Sequence, residues 1–123
     1  MPELVMLVAG ETSEKVQATF GKIKQILKKF NVVEPSKEID GTLKENKELR
    51  STLFELSGQT GVYPQLFRLD EDGTYTFLAT GSQIEGMNEV HECVQEMLKQ
   101  DPDFLKKNDQ YQLITDVFKD FIN

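Results

Sequence analysis

Gly58-Gln59-Thr60-Gly61-Val62-Tyr63-Pro64-Gln65-Leu66-Phe67 joins a helix to a strand. The helix spans residues 43–57 and carries Leu49, Leu53 and Leu56 at helical spacing. Gly58 stands where a left-handed C-terminal cap is expected, because glycine adopts positive φ without steric cost. A short turn follows, and Pro64 then opens an apolar strand over residues 63–69. Residues 74–80 alternate well enough for another strand. Asp72-Gly73 lies between the two, so a hairpin is predicted.

The N-terminal part supplies the other half of a sheet. Leu4-Val5-Met6-Leu7-Val8-Ala9 is a short apolar run bounded by Gly10, the pattern of a strand covered on both faces. Val16, Phe20, Ile23, Ile26, Leu27 and Phe30 recur at helical spacing, with Thr12 or Ser13 as the expected cap. Residues 32–40 read as a second strand. Pro35 cannot donate to a ladder, which puts that strand at a sheet edge. Strands one and two, joined by a helix, are expected to be parallel with a right-handed crossover. After the hairpin a third helix is predicted to begin near Met87 and to bury Val90, Val94, Met97 and Leu98. Asp101-Pro102 interrupts it. A last helix carries Ile114, Val117, Phe118, Phe121 and Ile122 as an apolar stripe. The order is β-α-β-α-β-β-α with a C-terminal helical extension.

With 123 residues, 38% hydrophobic and 28% charged, the chain is expected to form one soluble domain around a single core. Its net charge of −7 leaves no excess of Lys or Arg for phosphates, so neither nucleic acid nor an anionic membrane is an expected partner. The longest apolar run, residues 4–9, is far too short to span a bilayer. Met1-Pro2-Glu3 lacks the basic start of a signal peptide. Cys93 is the only cysteine. No internal disulfide is possible, and a reducing compartment, the cytoplasm, is expected.

Residues 46–67, NKELRSTLFELSGQTGVYPQLF, resemble the second helix, turn and cis-proline strand of glutaredoxins. Ile84-Glu85-Gly86-Met87-Asn88-Glu89-Val90 resembles their Gly-rich turn with the acidic residues that open the third helix. The resemblance covers most of residues 5–98. Among glutaredoxin-like groups the chain is most similar to the SH3-binding glutamic-acid-rich-like family, cytosolic proteins that keep the fold but have generally lost the active-site cysteines. It departs from that family in lacking a proline-rich SH3-ligand segment. The resemblance implies a thioredoxin-like α/β fold: a four-stranded mixed sheet with flanking helices over residues 1–100; the C-terminal helical extension over 101–123 exceeds what a glutaredoxin needs. The redox motif of an ordinary glutaredoxin would fall near Ala18-Thr19-Phe20-Gly21 or near Glu11-Thr12-Ser13-Glu14. Neither stretch contains cysteine.

Thiol–disulfide exchange needs a thiolate in an electropositive, accessible place. Cys93 is inside the third helix, beyond the reach of its dipole, and is read as structural or incidental, as a small buried hydrophobe would be. His91, the only histidine, stands two positions away and points to another helix face. One Cys and one His assemble no metal site. Thr12 and Ser13 are read as helix caps rather than nucleophiles, since only Glu11 and Glu14 are near to activate them.

The expected function is therefore binding without catalysis and without a cofactor. By resemblance, Tyr63 would offer backbone N–H and C=O groups to an extended peptide beside a cis Pro64. The amides of Asn88 and Glu89 would receive a carboxylate at the start of the third helix. Glu85, standing where the family has the first glycine of its turn, weakens that anion site. A protein partner is expected at this groove and at the C-terminal stripe. Two competing readings are a glutathione-binding or glutathione-dependent enzyme and a structural homodimer built on the C-terminal helix. A basic side chain at the groove would favour glutathione, and Lys15, Lys22 and Arg50 are the candidates. The plainer reading makes Pro64 a folding determinant and Asn88 a helix cap.

Overall fold

The computed structural model describes residues 1–10, 14–108 and 112–123. Thr12 and Ser13, the expected caps of the first helix, lie outside the described residues. Four strands, β1 (Glu3–Val8), β2 (Lys37–Asp40), β3 (Gln65–Leu69) and β4 (Tyr75–Thr80), form one mixed sheet in the order β2-β1-β3-β4. β1 pairs parallel with β2 and antiparallel with β3, and β3 and β4 form the predicted hairpin. Its turn places Gly73 at φ 87, and Gly73 N–H donates to the Asp70 carbonyl at 2.9 Å.

From Leu4 to Val8, β1 is apolar because both of its faces are covered. Leu4 and Met6 enter a core with α1 (Glu14–Lys29), α3 (Gly81–Gln100) and the C-terminal segment. Val5 and Leu7 enter a second core beneath α2 (Lys47–Ser57). Phe20, Ile23, Ile26 and Leu27 carry the buried stripe of α1. Each such side chain, fully buried, contributes roughly 1.5–3 kcal/mol of transfer free energy.

Several expectations are corrected. β2 is limited to four residues at the sheet edge: Pro35 precedes it, and Val32 instead bridges Ile122. α2 starts at Lys47 after a 3₁₀ turn (Lys44–Asn46), and buries Leu53 and Phe54 rather than Leu56, which is 49% exposed. Gly58 caps α2 with φ 69, as expected.

α3 begins at Gly81, six residues before Met87, because Thr80 and Gln83 close a reciprocal capping box. Gly86 is therefore a helical residue, not part of a turn. Burial of Ile84 and Met87 outweighs the cost of a mid-helix glycine, about 1 kcal/mol. On the same helix Val94 is buried and Val90 and Leu98 are half-buried, whereas Met97 is 40% exposed. Cys93 is exposed, not buried.

The predicted last helix is instead α5 (Ile114–Val117) and a 3₁₀ turn (Lys119–Phe121), and a separate short α4 (Phe104–Lys107) precedes them. Ile114, Phe118 and Phe121 are nonetheless buried in the α1–α3 core. Val33 N–H donates to the Phe121 carbonyl at 2.8 Å, and Asn123 N–H to the Asn31 carbonyl at 2.9 Å. Arg68 bonds both Asp70 and Asp120.

Candidate functional site

The register brings four chain segments to one end of the sheet. β1 and β2 end together at the Val8–Asp40 pair, β3 begins at Gln65 opposite Leu7, and β4 ends at Thr80 opposite Gln65. Gly10, Asp40 to Thr42, Tyr63–Pro64 and Thr80–Gly81 therefore share one rim.

Asp40 ties the first two segments. Its Oδ1 accepts from Gly10 N–H at 2.9 Å, Thr42 N–H at 2.9 Å and Thr42 Oγ1 at 2.5 Å. The Thr42 hydroxyl, followed by the Gly10 amide, holds the Asp40 carboxyl below the usual aspartate range. A Cβ on Gly10 would lie 2.1 Å from Asp40 Oδ2, so a larger residue here would have to displace the Asp40 carboxylate.

Gly41, next in the chain, is enclosed by two side chains. A Cβ on it would meet Tyr63 Oη at 2.9 Å and Arg50 Cδ at 3.2 Å. Arg50 Nη1 donates to the Gly41 carbonyl at 2.8 Å. The Tyr63 ring also meets Phe54 edge-on, with centroids 5.7 Å apart. The Tyr63–Pro64 peptide is cis, as the resemblance implied.

Pro64 is buried against Gly81: its carbonyl accepts from Gly81 N–H at 2.8 Å, and a Cβ on Gly81 would lie 2.7 Å from Pro64 Cδ. Among the described residues, neither the N–H nor the C=O of Tyr63 has a hydrogen-bond partner. One residue with an open donor and an open acceptor is thus offered at the head of β3.

Tyr63 and Pro64 stand at this rim; Asn88 and Glu89 do not. They lie seven and eight residues beyond the first residue of α3, about 10–12 Å along the axis. Amides at that depth in a helix bond to carbonyls four residues back and cannot receive a carboxylate. Asn88 Oδ1 accepts from Lys29 Nζ at 3.1 Å, and Glu89 is exposed. At the true helix start, Gly81 N–H is committed to Pro64 and Gln83 N–H to Thr80 Oγ1.

Of the three basic candidates only Arg50 reaches the rim. Lys22 faces Glu85 at 3.9 Å, and Lys15 is an exposed residue of α1. Ala18 to Gly21, one register of the missing redox motif, is inside α1. The other register ends at Glu14, the first residue of α1, and its residues 11–13 lie outside the described ones.

Sequence reasoning missed Gln65. It has no exposed surface, and its Nε2 donates to the carbonyls of Gln59 at 2.6 Å and Val62 at 2.9 Å. The only signal was a polar residue between Pro64 and the apolar pair Leu66-Phe67. The early start of α3, by contrast, could have been read from Thr80-Gly81-Ser82-Gln83.

A second concavity of about 220 Å³ is lined by Val90, Cys93, Val94, Met97 and Phe104. His91, on another face of α3, packs edge-on against Phe30 with centroids 4.7 Å apart. Among the described residues no cluster of three or more His, Cys, Asp or Glu side chains is placed to hold a metal ion, and no helix is long and apolar enough to cross a membrane. Compared with family models, curated proteins and solved structures, the chain matches none of them.

Proposed function

We propose that this chain is a redox-inactive binding module of thioredoxin-like, glutaredoxin-related fold that takes an extended segment of a protein partner against Tyr63. The observation that carries this reading is the unpaired N–H and C=O of Tyr63 at the head of β3. A donor and an acceptor on one residue, held next to a strand end, are what an added strand pairs with. The strand order β2-β1-β3-β4, with β1 and β2 parallel and the others antiparallel, supports the fold assignment. The lack of cysteine in either candidate register supports binding over thiol exchange. The single cysteine of the chain agrees with a cytoplasmic setting.

Selection from a displayed library of random linear peptides, followed by NMR of the ¹⁵N-labelled protein with the winning peptide, tests the reading. Saturable shifts at Val62, Tyr63 and Gly81 are expected. A winner that shifts only the Val90–Met97 face, or no winner at all, would sink it.

Arg50 favours a second reading, in which the ligand is the tripeptide glutathione. Its guanidinium holds the Gly41 carbonyl at this rim and is of the kind that pairs with a carboxylate. Titration with reduced glutathione separates the two: a saturable shift of the Tyr63 amide favours the tripeptide. An unmoved spectrum at millimolar ligand leaves the longer peptide.

A further inference from the structure

Gln65 makes an uneven use of its amide. Nε2 bonds two carbonyls, while Oε1 is buried without a partner among the described residues. A desolvated, unpaired acceptor destabilises a fold, so an apolar side chain of similar volume would suit this fully buried position better on packing grounds alone. What only the amide supplies is a tie across the turn. Its two acceptors, on Gln59 and Val62, stand either side of Gly61, whose φ is 78.

The second of those bonds sets a direction. The Val62 carbonyl and the Tyr63 N–H belong to one peptide plane, which is trans, since the cis bond comes after Tyr63. In a trans unit the C=O and N–H point in opposite directions. Holding the Val62 carbonyl inward on Gln65 therefore turns the Tyr63 N–H outward. We propose that Gln65 is the positioning residue of the groove: from inside the core it orients the Tyr63 peptide group toward a bound strand. This rests on the peptide-binding reading of the site.

Two variants test it. Gln65→Met keeps the volume and removes both bonds; Gln65→Glu keeps the shape but replaces the donor by acceptors facing two carbonyls. The first readout is ligand-free: the ¹⁵N order parameter of the Tyr63 N–H is expected to fall from about 0.85 to below about 0.6 in each variant that folds. The values along β1 and β3 should stay unchanged. A Tyr63 as rigid as in the unaltered chain, or a loss spread evenly over the strands, would overturn the proposal. The second readout is affinity for the library-selected peptide, expected to weaken about tenfold through lost preorganisation. Unchanged affinity in a variant with a loosened turn also overturns it. If no peptide binds the unaltered chain, the peptide-binding reading fails, and the order parameter alone decides whether Gln65 orients the turn.

Discussion

The turn at Tyr63 and the segment over residues 113–121 are both interaction surfaces by sequence, and the structure treats them oppositely. The C-terminal segment is the more apolar of the two, and it is consumed by its own domain: Leu113, Ile114, Phe118 and Phe121 are all at or below 8% exposure. The Tyr63 turn is mostly polar and small. Its Tyr63 and Pro64 side chains fit closely against Gly41 and Gly81, yet the N–H and C=O of Tyr63 stay unpaired among the described residues. An apolar stripe in a short chain is first of all material for the core. An open backbone position is a matter of geometry, and its residue types do not announce it.

The largest effect that bears on this contrast is expected at Phe118, which has no exposed surface. Phe118→Ala should destabilise the chain by about 3–5 kcal/mol in urea unfolding; a loss under about 1 kcal/mol would return the segment to the list of free surfaces. Next is Gly81→Ala, whose Cβ would meet Pro64 Cδ at 2.7 Å and Cγ at 2.9 Å. Ala suits a helix better than Gly, so a destabilisation of about 1–3 kcal/mol would isolate the tight packing of Pro64 as its cause. No loss would show that the rim yields easily.

A smaller effect is expected at Asp40. Its carboxyl is held low by the Thr42 hydroxyl and the Gly10 amide. A folded-state value below the unfolded one means stability present above the ordinary aspartate range and lost as pH falls through the folded value. Asp72 and Asp101 are lowered as well, so acid unfolding should persist but become shallower in Asp40→Asn. At pH 7 that variant should lose about 1 kcal/mol; an unchanged acid transition would remove Asp40 from the account. The smallest effect belongs to Cys93, exposed on α3. Cys93→Ser should leave stability within about 0.5 kcal/mol and binding at the Tyr63 rim intact. A loss of binding would shift attention to the concavity that Cys93 helps to line.

Much of the architecture was legible. The uninterrupted Leu4–Val8 run, the Gly58 cap and the Asp72-Gly73 turn each follow from a local rule that tertiary packing left in force; β2 does lie at the edge, but Pro35, which carried that expectation, precedes the strand. α3 was misread because a glycine at position 86 looked like punctuation, whereas the capping box upstream and the burial of Ile84 and Met87 prevailed. Met97 was assigned to the core by spacing alone, and Leu56 was placed on one face with Leu49 and Leu53. Helical spacing gives a face; which part of that face meets the sheet depends on how the helix is rolled. At the site, Tyr63 and Pro64 were legible, and Arg50 was legible as a candidate. Gln65 was not: its role depends on which carbonyls lie above a buried amide, and that is a property of the closed turn.

The two cores also differ in how much of the chain each requires. The one beneath α2 is complete once Phe77 is in place, since it draws on Val5, Leu7, Ile39, Leu53, Phe54 and Phe67 with Tyr75 and Phe77 at its margin. The other reaches from Leu4 to Phe121. During synthesis at about 5–20 residues per second, the 44 residues from position 78 through Phe121 take about 2–9 s to follow. For that interval every side chain of the α2 core has been added, while the other face of β1 still lacks its last aromatic side chains. A chain cut short in that interval is expected to expose the apolar face that α5 and its following turn close.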